Sequence, residues 1–274
     1  MFDKRPTRTI LCPSCGRLTR ADADECLSCG RRRPGMFGLS DALRRLFRLG
    51  GVTNAITVAC VAIYVASLLL DPRAALRPRL GLDFLPVGNA VVAVFGTGAF
   101  AWRAGRWWTL ITAIYIHGNL LHILFNMLWV RQLSPAIEEL YGPARLVVIF
   151  TVAGITGFLA STLAGEPLTI GASGAVFGLL GAIVAFGHRR GGVFGSMILR
   201  QYGQWALVLF VFGFVMPGVD NFAHAGGFVG GLGAGLVLSL AERRRETGAD
   251  HMLAALAVLL TLAAFALAIA SIFG

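Results

Sequence analysis

Charge is what this sequence has least of. Only 14% of its 274 residues are Asp, Glu, Lys or Arg, against about a quarter in a soluble domain. That shortage excludes an ordinary water-soluble globule of this size. A basic helix with interleaved aromatics is also missing, so the net charge of +10 does not read as a nucleic-acid interface. Basic residues flanking membrane spans account for the excess. The first fifty residues lack the apolar stretch of a signal peptide, so no cleavable signal is expected. No internal repeat is visible, which argues against a transporter built from repeated halves.

What is present is apolar. Hydrophobic residues make up 56% of the chain, glycine is abundant at 35, and mean hydropathy is +0.73. This balance predicts an all-α, multi-pass membrane protein. Apolar runs predict seven spans, near 52–70, 107–130, 145–163, 172–188, 203–218, 222–240 and 252–273. Residues 71–106 are interrupted by Pro86, Gly88, Gly96 and Gly98 and are expected to form a large loop dipping into the interface. Three regions follow: a polar module over 1–35, a basic amphipathic linker over 36–51, and the membrane domain over 52–274. Within the linker, "DALRRLFRL" (41–49) reads as a short surface helix. With the N-terminus inside, 19 of the 24 Lys and Arg residues fall on the cytoplasmic side, as the positive-inside rule requires.

That topology brings polar residues from three separated spans to one depth, near the outer face. "TIGASGAVFG" (169–178) sets Ser173 at the start of the fourth span, between Gly171 and Gly178. A lone serine in a span commonly bonds back to a carbonyl one turn earlier. At a helix start it also lies beside free N–H groups that can bind an oxyanion. His224 opens "HAGGFVGGLGAG" (224–235). From it, Gly227, Gly231 and Gly235 share one helix face, matching the stripe of Gly174, Gly178 and Gly181 after the serine. Close packing of the two stripes would bring imidazole to hydroxyl; otherwise they form a glycine zipper with an incidental histidine. In "HGNLLHILFN" (117–126), His122 and Asn126 are four apart and face one way. His117 is expected to point elsewhere and order the loop.

In order and spacing, "HGNLLHILFN", "GASGAVFG" and "AHAGGFVGG" resemble the three motif regions of rhomboid intramembrane serine proteases. "EELYG" (138–142) is similar to that family's acidic-glycine turn. The resemblance implies a six-helix core with one added C-terminal span. It implies a dyad of Ser173 and His224, with no third acid, so Asp220 need not take part. It also implies an oxyanion hole from His122, Asn126 and the Ser173 N–H. The substrates implied are single-span membrane proteins, cut near the outer membrane face within the lipid bilayer. A non-catalytic, client-binding relative is the alternative, distinguished by loss of Ser173 or His224; both are present. Two positions depart from the family pattern. Trp108 is followed by Thr109 rather than arginine, which puts the first loop's anchoring in question. Phe177 replaces a common tyrosine, which leaves ring stacking under His224 but no phenolic hydrogen bond.

Four of the five cysteines lie near the N-terminus. Cys12, Cys15, Cys26 and Cys29 form two C-x-x-C knuckles, a set suited to one tetrahedral zinc and similar to a short zinc ribbon. A reducing cytoplasmic location argues against disulfides. A cytoplasmic protein partner for the ribbon is one expectation; a free-standing folded cap is the other.

Overall fold

The computed structural model describes residues 9–12, 15, 17–20, 23–30, 51–76, 83–238 and 246–273. The surface helix expected at 41–49 lies outside them, as does the linker apart from its last residue. The chain divides into two compact units, residues 1–54 and 55–274.

In the first unit, strands β1 (Thr9–Leu11) and β2 (Leu18–Arg20) pair antiparallel, with Thr9 opposite Arg20 and Leu11 opposite Leu18. The first C-x-x-C knuckle lies between them. Cys12 closes the turn by donating its N–H to the Arg17 carbonyl at 2.8 Å. The second knuckle closes with Gly30 N–H to the Cys26 carbonyl at 2.9 Å, with Gly30 at φ +70°.

Helix α1 (Gly51–Leu70) is followed by four short helices, α2 (Pro72–Ala75), α3 (Asn89–Phe95), α4 (Ala99–Arg103) and α5 (Thr109–Thr112). Six long helices then follow: α6 (Leu120–Leu140), α7 (Pro143–Leu163), α8 (Ser173–Arg190), α9 (Gly192–Val215), α10 (Asn221–Leu238) and α11 (Gly248–Ala270). The fold is thus all-α, with α1 the seventh long helix among the described residues. The region expected as one large loop, 71–106, instead carries three of the short helices.

The span expected at 107–130 is not continuous. Its first part, Thr109–Tyr115, meets α6 at 92°. The cause is local. Ile116 is extended (φ −92°, ψ 135°), and Asn119 caps α6 by accepting the His122 N–H at 2.8 Å. The break falls on the polar run His117-Gly118-Asn119, which a count averaged over the whole span smooths away.

By length and composition, five helices among the described residues can cross a membrane, α1, α7, α9, α10 and α11, or six if the bent pair counts as one. Their outward faces carry Val61, Val65, Leu207, Val229, Leu256 and Leu259. Helix α8 is outside that set. It ends in His188, Arg189 and Arg190, and residues Gly174–Ile183 are buried by the surrounding helices. It is the centre of the bundle and needs little apolar surface for lipid.

Glycine lets the neighbours of α8 come this close. A Cβ on Gly227 would lie 2.0 Å from the Gly174 carbonyl oxygen, and one on Gly231 would lie 2.0 Å from that of Gly178. Gly235 meets Ala182, and Gly181 meets the Phe228 carbonyl. The two stripes expected from the sequence therefore form one seam between α8 and α10.

The last helix is tied to α7 by groups the sequence did not single out. Arg145 donates to both oxygens of Asp250, at 3.0 and 2.9 Å, and the pair is buried. Glu246 accepts the Ala144 N–H at 2.7 Å, and Thr247 and Asp250 form a capping box. These partners are about a hundred residues apart in sequence, so no local pattern announces them.

Candidate active site

Ser173 is the first residue of α8, and no side chain caps that helix start. The first intrahelical bond there is Val176 N–H to the Ala172 carbonyl, at 2.9 Å. The N–H groups of the opening turn thus remain available to a ligand. Ser173 itself is half-buried.

His224 is the fourth residue of α10 and only 6% exposed. Asp220 caps this helix, accepting the Ala223 N–H at 3.0 Å while its other oxygen takes the Ser161 hydroxyl. The α8–α10 seam brings the starts of the two helices together. The carbonyl of Ala223, just before His224, lies 3.3 Å from where a Cβ on Gly174, just after Ser173, would stand. One turn along, the Phe177 ring stacks on the His224 imidazole, with centroids 4.2 Å apart and planes 17° apart. The stacking expected for Phe177 is present. The Nδ1 of His224 is buried without a hydrogen-bond partner among the described residues.

His122 approaches from α6. Its Nδ1 accepts the Gly118 N–H at 3.3 Å, so the neutral ring carries its proton on Nε2. That nitrogen rests against Gly171, where a Cβ would come within 2.5 Å of it. Gly171 has φ +117° and donates its N–H to the Ala113 carbonyl at 2.9 Å. Both the conformation and the space call for glycine. An Nε2–H donor therefore faces the loop two residues before Ser173. Asn126 is 2% exposed and donates to the His122 carbonyl at 2.8 Å, which fixes its amide one turn below.

His117 does not point away from this group. It precedes the start of α6, where helical spacing no longer applies, and folds back with its ring 5.2 Å from that of His122, edge to face. It is 1% exposed, and its Nδ1 lies 3.3 Å from the Tyr115 carbonyl.

Thr109 anchors the first loop in the arginine's place. Its hydroxyl donates to the Arg106 carbonyl at 2.7 Å and lies 3.1 Å from that of Thr97. Arg106 reaches the Ala93 carbonyl at 2.7 Å. Thr97 in turn pairs backbone-to-backbone with Thr169, at 3.0 and 2.7 Å. The first loop is thereby joined to the segment that leads into Ser173.

The four N-terminal cysteines converge, with all their sulfurs within 4.8 Å of one another. Cys12 and Cys29 are 3.7 Å apart, and Cys15 and Cys26 are 3.9 Å apart. A tetrahedron with Zn–S bonds of about 2.3 Å has edges of about 3.8 Å, whereas a disulfide needs about 2.05 Å. The backbone N–H of Ser28 holds the Cys26 thiol below its ordinary pKa, which favours the thiolate a metal requires. The donor set fits a single tetrahedral metal ion.

A multi-pass helical membrane protein, with a serine at the start of its central helix and a buried histidine near the start of the helix packed on it, is the class these features define. Residues 104–241, half of the chain, match the family model of the Rhomboid domain. The chain belongs to the rhomboid family. It is similar to "Rhomboid protease GluP" of Bacillus subtilis, 39% identical over half of this chain and 27% of that protein. "RHOMBOID-like protein 5" of Arabidopsis thaliana is 35% identical, over half of this chain and 45% of the relative. "Rhomboid protease GlpG" of Salmonella choleraesuis is 30% identical over 72% of this chain and 67% of its own length. The chain thus spans less than half the length of the first two.

Proposed function

We propose that this protein is an intramembrane serine endopeptidase. The observation that supports it most is the placement of Ser173 at an uncapped helix start, with the His224 helix pressed against it and the imidazole stacked on Phe177. The names of its relatives, two of them called rhomboid proteases, point the same way.

In this reading the Ser173 hydroxyl oxygen attacks the scissile carbonyl carbon, and its proton passes to His224. The new oxyanion is held by the Ser173 N–H, the Nε2–H of His122 and the amide of Asn126. As the C–N bond breaks, His224 gives its proton to the leaving amine. Water then attacks the acyl-enzyme by the same route and regenerates Ser173. Asp220 serves its helix cap and Ser161 instead of acting as a third acid.

The substrates are single-span membrane proteins, cut near the outer membrane face, with the N-terminus of this chain in the cytoplasm. Cys12, Cys15, Cys26 and Cys29 hold one structural zinc, which stabilises the small module and takes no part in the cleavage.

The test is reconstitution in lipid vesicles with a panel of single-span proteins. Ser173→Ala and His224→Ala should each abolish cleavage in a folded protein, and the double variant should be little worse than either, because the two act as a unit. Asn126→Ala should lower kcat by about 10²-fold. Cleavage by the Ser173→Ala protein, or clients bound but never cut by the wild type, would overturn the reading.

A further inference from the structure

The segment that delivers His122 has little regular structure of its own. A single 3-10 turn, Ala113–Tyr115, leads through the non-helical residues 116–119 into α6. Such a stretch is short of repeating backbone hydrogen bonds, so its rigidity must come from what packs on it.

What packs on it comes from α7, where Ile114 lies against Gly154, from the segment before Ser173, where Gly171 donates to the Ala113 carbonyl, and from the last helix. Phe265 of α11 places its ring 6.0 Å from Tyr115 and 5.7 Å from Phe95. One turn earlier on the same helix, Thr261 lies beside the Tyr115 hydroxyl. The Tyr115 ring also lies 6.2 Å from that of Phe150 on α7. The contacts continue inward. The Tyr115 carbonyl lies 3.3 Å from His117 Nδ1, the His117 ring stands edge-on to His122 at 5.2 Å, and His122 Nε2 rests against Gly171. The opposite end of α11 is fixed by the Arg145–Asp250 pair, so Phe265 projects from a helix anchored to the bundle.

We infer that Phe265 is a positioning residue: through Tyr115 and His117 it sets the orientation of the His122 imidazole, which makes α11 part of the catalytic framework. The inference rests on the oxyanion role assigned to His122 above. A donor to a transition-state oxygen must be held to a fraction of an ångström, and the shell behind it supplies that precision.

The test uses the full chain in lipid. Phe265→Ala should lower kcat about 10- to 100-fold with little change in KM, as a misplaced catalytic group does. Phe265→Leu, which keeps most of the volume, should recover most of that loss. Leu259→Ala, on the outward face of the same helix, should behave as wild type. In a His122→Ala background, Phe265→Ala should cost less than about twofold further, because the two act along one line. If Phe265→Ala does not fold, Phe265→Val takes its place with the same expectations. A second readout needs no cleavage: the imidazole resonances of His122 should shift in Phe265→Ala but not in Leu259→Ala. An additive loss in the double variant, a change confined to KM, or unmoved His122 resonances would overturn the proposal. Cleavage by Ser173→Ala would sink the protease reading instead, and would leave the resonance result standing.

Discussion

The cysteine module and the membrane bundle solve one problem in opposite ways. Each must hold chain segments together without an ordinary hydrophobic core. The module has two three-residue strands and a cluster of sulfurs, too little apolar surface to fold on burial alone. Its cohesion depends on side-chain atoms that project and converge. The bundle has apolar surface in abundance, but lipid is as apolar as its helices, so burial does not drive their association. Its cohesion depends on side chains being absent, along the seam where Gly227 and Gly231 meet Gly174 and Gly178. Adding atoms should therefore damage the bundle, and removing them should damage the module.

The sharpest break of this contrast is at the sulfurs. Cys12→Ser with Cys15→Ser should reduce bound zinc from one per chain to none. It should also unfold the module, to which the proposed zinc would contribute on the order of 10 kcal/mol. Metal analysis and limited proteolysis read this directly, and cleavage of a generic substrate in detergent should survive. Next is Gly231→Val. Its Cβ would fall 2.0 Å from a backbone oxygen that has nowhere to go, so a loss of about 4 kcal/mol is expected, visible as a fall in folded yield and melting temperature. Asp250→Ala leaves Arg145 buried without its carboxylate and should cost about 3 kcal/mol; a melt in detergent measures it. Tyr141→Phe removes the hydroxyl that donates to the Ala182 carbonyl at 2.9 Å and should cost only about 1 kcal/mol. A bundle that tolerated Gly231→Val better than Tyr141→Phe would contradict the comparison.

Much of the candidate site was legible because it is written at helical spacing. The two glycine stripes follow from counting 3.6 residues per turn, and the placement of Ser173 at a helix start from the apolar run behind it, whereas the stacking of Phe177 on His224 was expected only from the resemblance to the family. What helical counting could not reach lies where the chain stops being helical. The direction of His117 was misjudged because residues 116–119 are not helical, and spacing across them carries no angular meaning. Asn119, a good cap two residues after a histidine and one after Gly118, was the local sign of that break. The Thr109–Thr97 contact and the Arg145–Asp250 pair were hidden for a different reason. Each joins residues whose partners are fixed by the fold, and a single sequence holds no record of such pairings. The departure at Thr109 was visible, but its replacement anchor was not.

The near-complete enclosure of α8 has a consequence for how the protein is made. A helix wrapped by its neighbours needs little affinity for lipid, and this one is apolar only as far as Gly187 before it ends in His188, Arg189 and Arg190. A segment threaded into a bilayer during synthesis is judged on its own apolarity before its neighbours are complete. By that measure α8 offers only a short apolar stretch, residues 174–187, before its basic end, while α7 before it and α9 after it are apolar over longer windows. We expect the segment carrying Ser173 to integrate inefficiently when presented alone, and efficiently when α7 and α9 accompany it. Glycosylation tags on either side of the segment would count the two outcomes, and equal integration in both would show that its biogenesis is independent of its neighbours.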